Sequence, residues 1–243
     1  MIDIVIPLRN DSHWQNNEIR YCLRSVEMYL KDIRNVYIVG YKPKFIHNVI
    51  HIPTNDPHPW VTFNIRDKLI RACNEVDLSD NFLFMNDDHY IMRSFDQNVY
   101  YHHGPIESIL KTSHNSIYRR IAQNTIERLG QLRENWDVHT PVMMNKDLVR
   151  PALMQHPWPN TPDYWGGYLI KSLYCDHFFS SYINRNSVKI EYVADAKIRE
   201  PLAPSVLKSL SEEVPVISSG DKVYDGLQRL LNNLFPNKSK YEL

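Results

Sequence analysis

Glycine is scarce in this chain, with 7 in 243 residues. No Gly-x-Gly-x-x-Gly run and no Gly-Lys-Ser/Thr loop is present, which argues against a glycine-rich phosphate cradle and leaves that work to cations. Cysteine is scarcer: Cys22, Cys73 and Cys175 lie far apart and match neither a zinc-ligand pattern nor a disulfide framework. Cys22 and Cys73 fall on apolar helical faces and read as buried, inert thiols. Net charge is absent too, 28 basic residues balancing 28 acidic ones. That removes the global electrostatic case for nucleic-acid binding and leaves only a local basic groove open. No apolar run approaches membrane-spanning length. The N-terminus, Met1-Ile2-Asp3-Ile4-Val5-Ile6, is strand-like and lacks the basic region and cleavage site of a signal peptide. The expectation is a soluble, cytoplasmic protein with no membrane span. Neither a Gly-x-Ser-x-Gly elbow nor a papain-like cysteine context points to a covalent hydrolase.

What is present is a hydrophobic fraction of 43%, enough for a real core in one large α/β domain. Residues 2–7 read as a strand interrupted by Asp3, and residues 36–40 and 49–53 as two more. Ile19, Cys22, Leu23, Val26 and Leu30 follow helical spacing after a cap at Asn17, and Ile65, Leu69, Ile70, Cys73 and Val76 form a second stripe. Strand, helix, strand, strand, helix, strand is the order of a mostly parallel sheet with helices packed on it. The second half is less regular. Helices are expected at 106–110, 116–132, 146–155 and 168–183, short strands at 142–144 and 188–193, and a final amphipathic helix bearing Leu227, Leu230, Leu231 and Leu234. Ser218-Ser219-Gly220-Asp221 reads as the lead-in to that helix. The polar tail after Pro236 reads as mobile.

The stretch that organises the rest is Asn81-Phe82-Leu83-Phe84-Met85-Asn86-Asp87-Asp88-His89-Tyr90-Ile91. An apolar strand stops abruptly at two adjacent acids. Carboxylates beside buried residues repel one another and resist desolvation, and a divalent cation removes both penalties. Open α/β sheets bind ligands at the carboxyl ends of their strands, so a metal site at Asp87 and Asp88 is one reading; a polar turn is the other. Asp137-Val138-His139 places a carboxylate and an imidazole on one face of an extended segment. If the chain folds back, His139 could complete a site begun by Asp88. Such a mixed set suits Mn²⁺ or Mg²⁺ more than structural zinc, and a loop histidine bonded to its neighbours is the alternative. Arg66 and Lys68, with Asn64 and Asp67, lie early in the second helix. Cations there oppose the helix dipole unless they meet an anion such as a diphosphate, and a solvated helix face is the competing view. Arg9 is a further candidate for phosphate or base contact. The Trp- and Pro-rich loop 156–165 suits an acceptor platform, or simply packing onto the sheet.

Four blocks resemble a family: Ile2-Asp3-Ile4-Val5-Ile6-Pro7; Asn17-Glu18-Ile19-Arg20-Tyr21-Cys22-Leu23-Arg24-Ser25-Val26-Glu27; Ile33-Arg34-Asn35-Val36-Tyr37-Ile38-Val39; and Phe82-Leu83-Phe84-Met85-Asn86-Asp87-Asp88. They are similar to successive blocks of the Stealth-type sugar-phosphate transferases and of short glycosyltransferase-like proteins of bacteria and bacteriophages. More broadly the pattern resembles nucleotide-sugar transferases of the GT-A fold. Beyond residue 101 only Trp136-Asp137-Val138-His139-Thr140-Pro141 matches. The resemblance implies a GT-A-like α/β fold with a mostly parallel central sheet flanked by helices and a more helical C-terminal half. Residues 1–101 would be the nucleotide-sugar-binding half and 102–243 the acceptor-side, mainly helical half of the same domain. It also implies a nucleoside-diphosphate sugar donor and a Mn²⁺ or Mg²⁺ ion at the Asp-x-Asp position. Asn86 would contact the ribose, Asp88 would bind the metal, and Asp87 is the middle residue. Two departures stand out: Asn86 replaces an acid, and Pro7-Leu8-Arg9-Asn10-Asp11 replaces a Trp-Val-Asp-Gly-type segment. Plain glycosyl transfer therefore ranks ahead of sugar-1-phosphate transfer, and a non-catalytic nucleotide- or glycan-binding protein is the third reading.

On this reading the cofactor-binding candidates are Pro7, Arg9, Asn64, Arg66, Lys68 and Asn86, and the metal candidates are Asp87, Asp88 and His139. A base must deprotonate the acceptor hydroxyl if the sugar is inverted; Asp137 is the first candidate and Asp163 the second. The acceptor would be a glycan or, in a phage setting, a hydroxymethylated DNA base.

Overall fold

The computed structural model describes residues 1–10, 12–155, 157–161, 165–193, 196–220 and 222–243. Asp163, the second base candidate, lies outside the described residues, as do Asp11, His156 and Asp221. The first half runs β1 (Ile2–Leu8), α1 (Asn17–Tyr29), β2 (Ile33–Gly40), β3 (Ile50–Ile52), α2 (Val61–Cys73), β4 (Asn81–Phe84) and β5 (His89–Ile91). Then follow β6 (Val99–His102), α3 (Glu107–Thr112), α4 (Ser116–Leu129), β7 (Val142–Asn145), α5 (Lys146–Met154) and α6 (Ile170–Ser181). The chain closes with β8 (Lys189–Tyr192), β9 (Lys197–Ile198), α7 (Pro204–Glu213), β10 (Val216–Ser219) and α8 (Asp225–Leu234).

A five-stranded sheet of order β3-β2-β1-β4-β7 forms the centre. Its first four strands are parallel, and β7 pairs antiparallel to β4. β1 is buried on both faces, which is why it reads as an almost unbroken apolar run. The exception, Asp3, is fully buried yet satisfied: its carboxylate accepts from Arg34, the Asn35 amide, and the Ser79 amide and hydroxyl. Pro7 fits a central strand because the pairing of β1 with β4 ends at Val5 and Phe84. The missing Pro7 N–H then faces a position where no partner strand remains. Gly40 ends β2 at φ +114°, where a Cβ would meet the Leu8 carbonyl at 2.3 Å.

A second core joins β5, β9 and β10, a small sheet of order β5-β10-β9, to α7 and α8 through Tyr90, Ile217, Leu207, Leu227 and Leu231. The sequence reading had a lead-in segment where β10 lies. Val216 and Ile217 are strand residues buried between β5 and β9, and the polar Ser218 and Ser219 that masked them are buried too.

The C-terminal tail also departs from expectation: it is docked, not mobile. Glu242 is buried and bonds both Arg20 and Arg24 of α1, and Tyr241 is buried beside it. His47 N donates to Tyr241 O and Leu243 N to Phe45 O, tying the tail to the loop after β2. Lysines and a proline made the segment look solvated, whereas one carboxylate aimed at two arginines holds it.

Candidate active site

β1 lies between β2 and β4, so chain order reverses there: β2 and β3 run to one side and β4 to the other. Such a switch point opens a crevice outside the carboxyl ends of the strands. A cleft of about 560 Å³ lies there. Pro7, Leu8 and Arg9 leave β1 into it, and Asn86, Asp87 and Asp88 leave β4 into it. From α2 it takes Val61, Asn64, Ile65 and Lys68. The C-terminal half contributes Lys197, Ser219 and Gly220, none of which the sequence reading had placed in the site.

Asp87 and Asp88 are half-buried on the floor of this cleft. Burial raises both carboxyls from their ordinary range; for Asp87 the charges of Asp88 and Glu18 add to it. For Asp88 the nearby Lys197 and Lys171 ammonium groups offset part of the rise. Glu18, buried in the first turn of α1, is a third acid on the cleft and accepts a 2.5 Å bond from the Ser12 hydroxyl. Two neighbouring acids held in a cleft and only partly compensated fit a divalent cation, which would relieve both burial and repulsion. Mg²⁺ is commonly held by one or two carboxylates together with substrate phosphates, so the pair suffices as protein ligands.

His89 pins the turn that presents the acids: the Asn86 amide donates to His89 Nδ1 at 3.4 Å. Its ring packs edge-on against His139 at 6.4 Å between centroids. Burial lowers both imidazoles, so both are neutral at pH 7. His89 Nε2, His139 Nδ1 and the Ser218 hydroxyl are buried without a hydrogen-bond partner among the described residues. His139 thus lies against His89, next to the turn that carries the acids. It does not join Asp87 and Asp88 in a ligand set, for no group of three His, Cys, Asp or Glu side chains among the described residues is arranged to hold a metal.

The remaining candidates divide. Lys68 is buried in the cleft wall, donating to Leu8 O at 2.8 Å and pairing with Asp56 at 2.6 Å. Asn64 turns its amide back on His58, accepting from its N–H at 3.0 Å and donating to its carbonyl at 2.8 Å. Asn64 thereby fastens loop 53–60 to α2, and Lys68 ties the same loop to β1. Arg66 lies outside the cleft lining: it pairs with Asp67 at 2.7 Å and its guanidinium covers the rings of Trp158 and Phe63. Neighbours on α2 take its charge, so the helix-dipole argument for a diphosphate contact does not carry to it. Asp137 also lies outside the cleft lining. Its carboxylate accepts from the Ser172 amide at 3.0 Å in the first turn of α6, and burial raises it while Lys171 pulls it back. Trp158 is half-buried and packs edge-on against Phe63 and Tyr168, its indole N–H donating to Leu153 O. Trp165 stacks on Trp60 at 4.6 Å.

No protein-family model matches the chain. It is 22% identical over 174 residues to the capsular polysaccharide phosphotransferase of Neisseria meningitidis serogroup B, covering 63% of this chain and 45% of that protein. The match thus spans less than half of that relative's length. Among solved structures, the galactosyltransferase LgtC, crystallised with donor and acceptor sugar analogs, superposes with a TM-score of 0.50 over 98% of this chain and 97% of its own, at 12% identity. The chain has the GT-A glycosyltransferase fold. An active-site mutant of LgtC aligns over 98% of both chains with a TM-score of 0.45. The relatives found by sequence and by structure are both transferases. Within this GT-A fold the cleft, the paired acids and the switch point coincide. No helix among the described residues is long and apolar enough to cross a membrane.

Proposed function

We propose that this chain is a metal-dependent glycosyltransferase that moves a sugar from a nucleoside-diphosphate sugar to an acceptor hydroxyl. The observation that carries the reading is the pair of raised carboxyls, Asp87 and Asp88, on the floor of the switch-point cleft of a GT-A fold. Asp87 and Asp88 would hold Mn²⁺ or Mg²⁺, which when bound supplies a Lewis acid for the diphosphate leaving group. Arg9 and Lys197, both in the cleft lining, would supply further positive charge for the same anion. Asn86, next to them, offers the ribose a neutral amide. Lys68 and Asn64 shape the wall and hold it, as their bonds show.

Asp137 is the proposed base for an acceptor hydroxyl that approaches from outside the cleft lining, its carboxylate being bonded to the first turn of α6, where Lys171 faces both it and Asp88. Burial raises its carboxyl, which brings it toward the range in which a base accepts a proton efficiently near neutral pH. The acceptor is a glycan or, for a phage-encoded enzyme acting in its host's cytoplasm, a modified nucleobase. The Neisseria match favours a second reading, transfer of sugar-1-phosphate on the same site. Product analysis separates the two: nucleoside diphosphate release supports sugar transfer and nucleoside monophosphate release supports sugar-phosphate transfer. A non-catalytic binder would show ligand binding with neither product.

The test is a panel of UDP-, GDP- and CMP-linked sugars screened with Mn²⁺, Mg²⁺ or chelator, followed by product analysis of those that bind. Asp88→Ala should abolish metal-dependent binding, whereas Asp137→Asn should keep binding and lose turnover. Full turnover in both variants would remove the proposal.

A further inference from the structure

The proposed mechanism uses no residue of α6, yet its first turn carries a buried lysine. Lys171 is 4% exposed, and a lysine is almost never so buried unless its charge is matched. Its ammonium donates to Val138 O and to Thr140 O, both at 2.7 Å. Those carbonyls flank His139, and Thr140 N closes the same turn onto Val138 O at 2.8 Å. The next residue, Ser172, donates its amide to Asp137 and accepts from the Trp136 amide at 3.0 Å. Two consecutive residues of α6 therefore hold the 136–140 segment at four points. Carbonyls require only donors, and a neutral amide could supply them. The charge needs its own explanation. The acids that Lys171 faces are Asp137 and Asp88, and its ammonium lies 5.6 Å from the ring of Phe84, the last residue of β4. Burial lowers its pKa to about 8 and these two acids oppose the fall, so it stays mostly cationic at pH 7.

We infer that Lys171 is a positioning residue of the transfer site: it fixes the turn bearing Asp137 and His139 against the Asp87–Asp88 end of the cleft, and it sets a positive charge facing both Asp88 and Asp137. The inference rests on the transferase reading for its kinetic consequence, and on geometry alone for the clamp. Charge and clamp separate by substitution. Lys171→Met removes both, Lys171→Gln keeps N–H donors without charge, and Lys171→Arg keeps charge and donors.

The experiment combines amide hydrogen exchange, Mn²⁺ titration and steady-state kinetics with the nucleotide sugar best used by the wild type. Lys171→Met should speed exchange across residues 137–140 at least tenfold and leave β1 and β2 as in the wild type. Lys171→Gln should lose at least thirtyfold in kcat with donor KM within threefold, and Lys171→Arg should recover most of that loss. Lys171→Gln should also bind Mn²⁺ at least threefold more tightly, because a like charge facing Asp88 is gone. A purely structural lysine would not tighten the metal. Unchanged exchange in Lys171→Met, or wild-type kcat and Mn²⁺ affinity in Lys171→Gln, overturns the inference. A wild type that uses no nucleotide sugar overturns the proposed function instead, and exchange and Mn²⁺ affinity still decide Lys171.

Discussion

Replacing Glu242 by alanine should unlatch the C-terminal tail from α1. The carboxylate has no exposed surface and accepts from Arg24 Nε at 2.6 Å, Arg24 Nη2 at 2.9 Å, Ser239 N at 3.0 Å and Arg20 Nη1. Deleting one partner of a buried ion pair costs about 3–5 kcal/mol, since the other charge is left uncompensated. Here the arginine side chains keep 22% and 11% of their exposure, so water recovers part of their solvation. The loss should therefore fall near the lower end, about 3 kcal/mol. For a chain of this length that is a fall in Tm of roughly 6–12 °C. Urea and thermal melts at pH 7 on wild type, Glu242→Gln and Glu242→Ala provide the assay, with Gln intermediate because it keeps one acceptor oxygen.

The pH dependence gives an independent check. Burial pushes the Glu242 carboxyl up, but its bonds to Arg24 and Ser239 outweigh burial and leave it below the ordinary 4.5. A depressed acid stabilises the fold fully above its unfolded value, and that stabilisation is lost as pH falls through the folded value. The gap between wild type and Glu242→Gln should be constant from pH 8 to 5 and narrow below 4.5. A loss at pH 7 under about 1 kcal/mol, the worth of an exposed pair, would refute the argument that the tail is held by a buried carboxylate.

Asp87→Asn should raise Tm at pH 8 in metal-free buffer. The Asp87 carboxyl is raised above 3.8, so its contribution is full below that value and declines as pH climbs through the higher folded value; the amide removes the decline. Melts at pH 5 and pH 8 check this, and the variant's gain should be larger at pH 8. Gly40→Ala should cost about 2 kcal/mol or more, because it combines a clash at the Leu8 carbonyl with a positive φ, and urea titration measures it. Asn64→Leu should cost about 1–3 kcal/mol by leaving the His58 N–H and carbonyl without their partner, and should raise proteolysis within loop 53–60.

The N-terminal half was legible because a parallel sheet buried on both faces writes its strands as apolar runs, and α1 and α2 as clear stripes. The abrupt stop at Asn86-Asp87-Asp88 marked the carboxyl end of a buried strand, and those three residues line the cleft. β10 was not legible: Ser218 and Ser219 are as polar as any loop, and only their pairing with β5 and β9 makes them strand. Lys197 was hidden because it belongs to a two-residue strand, too short to show periodicity. For Asn64 and Arg66, sequence spacing says which face of α2 a side chain shares. It does not say that His58 or Asp67 waits there to bond it. Lys171 escaped for a related reason. A lysine early in a helix looks like solvated charge until the two carbonyls it bonds are known.

The most direct measurement is calorimetric titration of nucleotide sugars, with and without Mn²⁺, into wild type and Asp88→Asn. The account predicts one site per chain that needs Mn²⁺ and weakens at least thirtyfold in the variant. Equal affinity in the two proteins, or binding indifferent to Mn²⁺, would contradict it.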